Sequence, residues 1–210
     1  MCVRARVRRF QIACIARIYS LPLTLALSTS CKVSATFREP SQRLLSAFYF
    51  NMHASGAGRA RGAAMRRKCK SDPACFARFP GVAGCQTKML LGHKCAADIE
   101  LTREHVEQAK RVLREKLGHV ALTSCYDASV CNFHKLYGGV AYEQEFSKSV
   151  HTDADKRPTH KIGGKGGRWY NESALGGFVD WADEEIFAEA QLLFVEQTAA
   201  IVRSMRIESA

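Results

Sequence analysis

Acidic residues are all but missing from the first third of this chain. Glu39 stands alone among residues 1–70, against 14 lysines and arginines, whereas residues 71–210 carry 17 basic and 19 acidic side chains. The net charge of +11 is therefore an N-terminal property. It points to a targeting segment, an anionic cofactor or an anionic polymer, with a solvated basic tail as the plain alternative. Glycine is absent from the 37 residues before Arg38. That excludes a glycine-rich phosphate cradle there, because such a cradle needs backbone N–H groups brought close to the ligand. The Walker A spacing Gly-x-x-x-x-Gly-Lys-Ser/Thr is missing as well. So are a paired CxxC zinc spacing, an internal repeat and an apolar run clean enough for a convincing membrane span.

What remains is a globular composition, 47% hydrophobic and 24% charged, over 210 residues. It suits one packed domain with a terminal segment left over. Residues 1–32 divide from residues 33–205. The first nine carry Arg4, Arg6, Arg8 and Arg9, and residues 10–27 are mostly apolar but interrupted by Arg17. A positive start, an apolar stretch and Ala26-Leu27-Ser28 fit a signal peptide, while the acid-free, Arg-rich character fits a mitochondrial presequence. A start that is not the natural one is a third reading. Nine cysteines is a high count. Cys69, Cys75, Cys85, Cys95, Cys125 and Cys131 are an even number that could form three disulfides in an oxidising lumen, with free core thiols as the alternative. Asn171-Glu172-Ser173 is an N-glycosylation acceptor pattern consistent with that address.

The stretch around which the rest is read runs from Lys32 to Tyr49. Val33, Thr36 and Phe37 favour a short strand, and Pro40 suits a first helical position. Leu44, Leu45, Phe48 and Tyr49 then fall on one helical arc, with Arg43 and Ser46 on the other side. Arg38 ends the strand, and Ser46 lies roughly 9 Å up the helix axis. A guanidinium and a hydroxyl so placed can converge on one phosphate beside the positive end of a helix. Further on, residues 54–72 read as an exposed, mobile basic loop, and Pro80-Gly81 as a turn. Thr102 should cap a helix carrying Val106, Ala109, Val112, Leu113 and Leu117, with Gly118 as its stop. A strand over residues 119–123 and a helix over residues 126–134 follow. His134, His151, His160, Asp153 and Asp155 show no metal-like pattern. Residues 161–169, Lys-Ile-Gly-Gly-Lys-Gly-Gly-Arg-Trp, read as a flexible loop or as a second phosphate contact through Lys165 or Arg168. Asp183 should cap a last helix with Ile186, Phe187, Ala190, Leu193, Phe194 and Ile201 on its packed face.

A strand followed by Arg38-x-Pro40-x-x-Arg43-x-x-Ser46-x-x-Tyr49 resembles the 3′-phosphate-binding segment of sulfotransferases that use 3′-phosphoadenosine 5′-phosphosulfate (PAPS). The run from Gly84 to Gly92, with Cys95 after it, resembles a segment of the Golgi carbohydrate type and implies an acceptor-side loop. The helix, strand and helix over residues 102–134 resemble the late part of the same family, although Ala121 and Ser124 replace a Gly and a Glu of its pattern. The resemblance covers residues 33–205. It implies an α/β, P-loop NTPase-like parallel sheet flanked by helices, incomplete at its N-terminus and without the 5′-phosphosulfate loop. It further implies PAPS as co-substrate, Arg38 and Ser46 on its 3′-phosphate with Arg43 in support, and a carbohydrate or glycan acceptor. A Golgi or secretory address follows, with membrane association through a missing or cleaved N-terminal segment and no nucleic-acid partner. No residue presents itself as the catalytic base. The competing expectation is a non-enzymatic, basic, disulfide-containing protein that binds anionic glycans or nucleic acid through residues 54–70.

Overall fold

Val33, Ala35 and Phe37 are buried and alternate with Ser34 and Thr36 along β1 (Val33–Phe37), as a strand with one covered face requires. β1 pairs in parallel with β2 (Leu117–Leu122), placing Ala35 opposite Val120 and Phe37 opposite Leu122. The computed structural model describes residues 33–50, 58–146, 161–162 and 169–208. Over these the protein is α/β, mostly helical, with a small two-stranded parallel sheet and a short antiparallel hairpin, β3 (Lys161–Ile162) and β4 (Trp169–Tyr170). The leader in residues 1–32, His151, Asp153, Asp155, His160, Lys165 and Arg168 lie outside the described residues.

The fold divides into two compact units, with boundaries inside α5 (Arg103–Lys116) and α7 (Trp181–Glu208). The unit around the parallel sheet also holds α6 (Tyr126–Tyr137). β2 is buried almost throughout, as parallel strands covered on both faces are. Its polar groups find side chains: Leu122 N–H donates to Ser129 Oγ at 2.9 Å and Val120 N–H to Gln197 Oε1 at 3.0 Å. His119 is buried, with Nδ1 2.9 Å from Ser34 Oγ and its ring against Phe133 and Tyr137. Burial lowers its pKa and favours the neutral imidazole.

In the other unit, α1 (Pro40–Tyr49) presents Leu44, Leu45 and Phe48 to Met65, Cys69, Phe76, Ala77, Val82 and Leu175. Phe76 is fully buried, its ring 5.8 Å from that of Phe48. Met65 and Cys69 come from α2 (Arg59–Lys68) and its end, and Phe76 and Ala77 from α3 (Pro73–Ala77). The expected mobile loop is therefore a helix over most of its length. Alanine, arginine, lysine and methionine are strong helix formers, and Met65 gives the helix a buried anchor. The Gly84–Gly92 run is likewise not a loop but α4 (Cys85–Leu90). Gly118 is not a helix stop. α5 ends at Lys116, and Gly118 lies in β2, where Leu117 is buried opposite Val33. The expected cap Thr102 does accept the His105 N–H at 3.3 Å, and the expected apolar face of α7 is buried.

Cys69 is bonded to Cys75 and Cys85 to Cys95. Cys131 is also disulfide-bonded, but Cys125 is free and exposed. The six central cysteines thus do not close into three pairs among themselves. Disulfides of this kind are compatible with a secretory or extracellular location. No helix among the described residues is long and apolar enough to cross a membrane. Phe76→Ala should lower stability by about 3–5 kcal/mol in urea unfolding, whereas Cys125→Ser should stay within about 0.5 kcal/mol of wild type.

Candidate functional site

The geometry around Arg38 is set by α4, and α4 is set by two carboxylates. Asp180 accepts the Gly84 N–H with both oxygens, at 2.8 and 2.9 Å. Asp183 accepts the Gln86 N–H at 3.0 Å and both the N–H and the hydroxyl of Thr87 at 2.8 Å. These are N–H groups that a helix start leaves without intrahelical partners, and carboxylates there also suit the helix dipole. Gly84 has φ +68°, and a Cβ on it would collide with Leu101, so the turn into α4 requires glycine. Asp183, expected to cap its own helix, instead lies in the first turn of α7 and caps α4.

Arg43 bridges the pair, with Nη2 3.1 Å from Asp180 and Nε 3.4 Å from Asp183. Lys88, also buried, donates from Nζ to the carbonyls of Gly81 at 2.8 Å and Ala97 at 3.0 Å. Two carboxylates thus meet two cations in a nearly dry setting. Burial, and then the neighbouring Asp183, push the Asp180 carboxyl up to about 6, with Arg43 and the Gly84 N–H opposing. Burial lowers the Lys88 ammonium, with both aspartates opposing.

Gln86, positioned by Asp183, reaches the backbone of Arg38. Arg38 N–H donates to Gln86 Oε1, and Gln86 Nε2 donates to the Arg38 carbonyl, each at 3.0 Å. This two-bond clasp fixes the chain at the entry to α1. The Arg38 guanidinium stands 5.8 Å over the Tyr170 ring, and Tyr170 stacks on Tyr49 at 5.2 Å. Gln42 holds Tyr170 in place: Tyr170 N–H donates to Gln42 Oε1 at 2.8 Å, and Gln42 Nε2 donates to the Tyr170 carbonyl at 3.1 Å and to Glu172 at 2.8 Å. Arg38 is half-buried and makes no ion pair or hydrogen bond from its guanidinium among the described residues. Burial lowers its pKa, with Tyr170 and Glu39 opposing and Arg43 adding to the shift. Ser46, two turns along α1, is half-buried, and its hydroxyl has no partner among the described residues.

Of the three residues singled out in the sequence, Arg38 and Arg43 therefore come within electrostatic reach of each other, and Ser46 shares the helix side of Arg43 by its i, i+3 spacing. Arg43 is turned to carboxylates. Burial also raises Glu39 and Glu184, and each is raised further by Glu172. A groove of about 430 Å³ along the C-terminal half of α7, lined by Phe194, Val195, Thr198, Ala199, Val202 and Arg203, contains none of the three. No group of three His, Cys, Asp or Glu among the described residues is arranged to hold a metal. Gln42, Gln86, Asp180 and Lys88 were not legible as site residues. The one signal was the Asp180-x-x-Asp183 spacing at a helix start. Comparison with known proteins finds no matching family model, no similar curated protein and no similar solved structure.

Asp183→Ala should cost about 2–4 kcal/mol, since it strands the Gln86 and Thr87 N–H groups and leaves Arg43 with Asp180 alone, read as a loss of urea midpoint. The raised Asp180 carboxyl contributes stability that is full below its unfolded value of 3.8 and is lost as pH rises through about 6. Relative to Asp180→Asn, the wild type should therefore gain about 2–3 kcal/mol between pH 7 and pH 4, measured by unfolding at each pH.

Proposed function

We propose that this chain carries the later part of a PAPS-dependent carbohydrate sulfotransferase, of P-loop-like α/β type, and that Arg38 and Ser46 hold the 3′-phosphate of the nucleotide. The observation that carries this reading is the Arg38 guanidinium. It is partly desolvated, fixed by its backbone and by an aromatic ring, and has no counter-ion among the described residues. A cation in that state is costly unless paired, and a phosphate supplies both the charge and the acceptor oxygens that a guanidinium fork fits. The Ser46 hydroxyl, on the helix that Arg38 precedes, is a neutral donor with no partner among the described residues. Arg43 supports the site indirectly, by locking α4 and through it Gln86 and the Arg38 backbone.

PAPS supplies the activated sulfuryl group, which passes to an acceptor hydroxyl as the S–O bond to the nucleotide phosphate breaks. The residues of this chain grip and orient the ribose-phosphate end. Gripping there contributes positioning, one of the two parts, with electrostatic stabilisation, of catalysis for an in-line displacement of this kind. The disulfides fit a Golgi-lumen setting, where glycan hydroxyls are the acceptors.

Binding of the desulfated product, 3′-phosphoadenosine 5′-phosphate, tests this. The wild type should be stabilised on thermal unfolding, by about 2.7 kcal/mol at a hundredfold excess over Kd. Arg38→Ala should lose that shift, Arg38→Lys should keep only part of it, and Ser46→Ala should weaken it. A wild type that shows no shift, or an Arg38→Ala variant that retains all of it, removes the site.

A further inference from the structure

α2 carries Arg59, Arg61, Arg66, Arg67 and Lys68 and no acidic residue in its ten positions. Arg61 is engaged: it pairs with Asp98 at 3.3 Å and donates to the carbonyls of Ala96, at 3.0 Å, and Pro80. Arg59, Arg66, Arg67, Lys68 and the following Lys70 are exposed and have no hydrogen bond or ion pair among the described residues. Arg59 and Arg66 stand seven positions apart, two turns along one side of the helix. Cations in a last helical turn do complement the helix dipole, but only by about 0.3–1 kcal/mol each. Exposed like charges as close as those of Arg66, Arg67, Lys68 and Lys70 repel within about a Debye length, and nothing of opposite sign in this helix offsets that.

The cluster is not a solvated tail. Met65 is buried against the core, and Cys69, buried at the helix end, is disulfide-bonded to Cys75. Together with Arg61 these hold the helix at its middle and its end, so the basic side chains project from a fixed frame. The disulfide next to the cluster also narrows the partner. It forms in oxidising compartments, where polyanions are glycans carrying sulfate or uronate groups rather than nucleic acids.

We propose that α2 and Lys70 form a docking surface for an anionic glycan chain bearing sulfate or uronate groups. The surface stands apart from the nucleotide reading: it depends on none of Arg38, Arg43 or Ser46, and either can fail without the other.

The test is binding of the full chain to heparin, with dextran as the uncharged counterpart, over a salt series. The wild type should bind heparin and not dextran. Arg66→Gln/Arg67→Gln/Lys68→Gln should elute at lower salt, with the slope of log affinity against log salt reduced by about two to three, near one counterion per neutralised cation. Arg111→Gln/Lys116→Gln/Arg203→Gln removes the same charge from exposed positions elsewhere and should leave elution close to wild type. Glutamine keeps helix propensity, and an unchanged melting temperature for both variants establishes that folding is intact. Equal shifts for the two triple variants would overturn the proposal, since net charge alone would then account for binding. So would a single-stranded oligonucleotide that binds more tightly than heparin at the same salt, because the surface would then belong to nucleic acid.

Discussion

Two buried carboxylates at the start of one six-residue helix organise the unit that contains Arg38. Asp180 and Asp183 sit at 4% and 0% exposure and accept N–H groups from Gly84, Gln86 and Thr87. A helix as short as α4 cannot hold itself together in water, because nucleation is costly and few internal bonds repay it. It exists here because its free N–H groups meet fixed acceptors, because Gly84 permits the left-handed turn, and because the Cys85–Cys95 bond ties its first residue to the chain beyond its end. The carboxylates in turn require Arg43. Without it two negative charges would face each other away from water, an arrangement whose desolvation cost helix N–H groups alone do not cover.

From this lock a short chain of polar contacts runs to the candidate site. Asp183 positions the Gln86 backbone, and the Gln86 side chain clasps the Arg38 backbone from both sides. Gln42 makes a similar two-sided amide contact with Tyr170, whose ring lies under the Arg38 guanidinium. Gln86 thus does for Arg38, and Gln42 for Tyr170, what a neighbouring strand would do for a residue in a sheet. The two arginines of the motif end in opposite states. Arg43 is neutralised by aspartates, and Arg38 is left with an aromatic face, a contact of about 0.5–1 kcal/mol at exposed sites and about 2 kcal/mol when desolvated. That is weaker than an ion pair with a well-placed anion, so the asymmetry between them is what makes Arg38 available.

Local pattern carried the helices and strands wherever burial follows periodicity. β1, α1, Thr102 at the start of α5 and the apolar face of α7 were all readable because their side chains alternate or recur with the period of the element. Gly118 misled because a glycine after a helix pattern usually marks a left-handed cap; here the strand pairing of Leu117 with Val33 decides. Residues 59–68 misled because exposed basic residues with alanine and glycine look like a loop, although the same residues have high helix propensity and needed only Met65 and Cys69 as anchors. The polar lock was not readable at all. Its members lie at positions 38–43, 84–88 and 180–183, and no spacing rule links them. Asp183 was identified as a cap, but not as the cap of another helix, since only tertiary placement determines whose N–H groups a carboxylate reaches.

The distribution of charge makes more sense once the acids are followed to their partners. Asp98 is engaged by Arg61, Asp180 and Asp183 by Arg43, Glu185 by Lys110 and Arg103, and Glu189 by Arg114. These acidic side chains are thus committed to ion pairs inside their own units. The exposed cations of α2 have no such partner among the described residues, and Asp72, the nearest acid in sequence, is turned to the Cys75 N–H at 3.0 Å. Among the described residues, neutralisation by Asp72 would cost its cap on Cys75 and neutralisation by Asp98 would cost its pair with Arg61. Each exchange removes one contact to make another and leaves the total charge unchanged. A multivalent anion arriving from solution is different in kind: it adds opposite charge without breaking anything, and the counterions it displaces add entropy. The same reasoning applies on a smaller scale to Arg38, where one phosphate would complete what one guanidinium begins. In both places the folded chain leaves positive charge on a fixed frame, without an ion pair among the described residues.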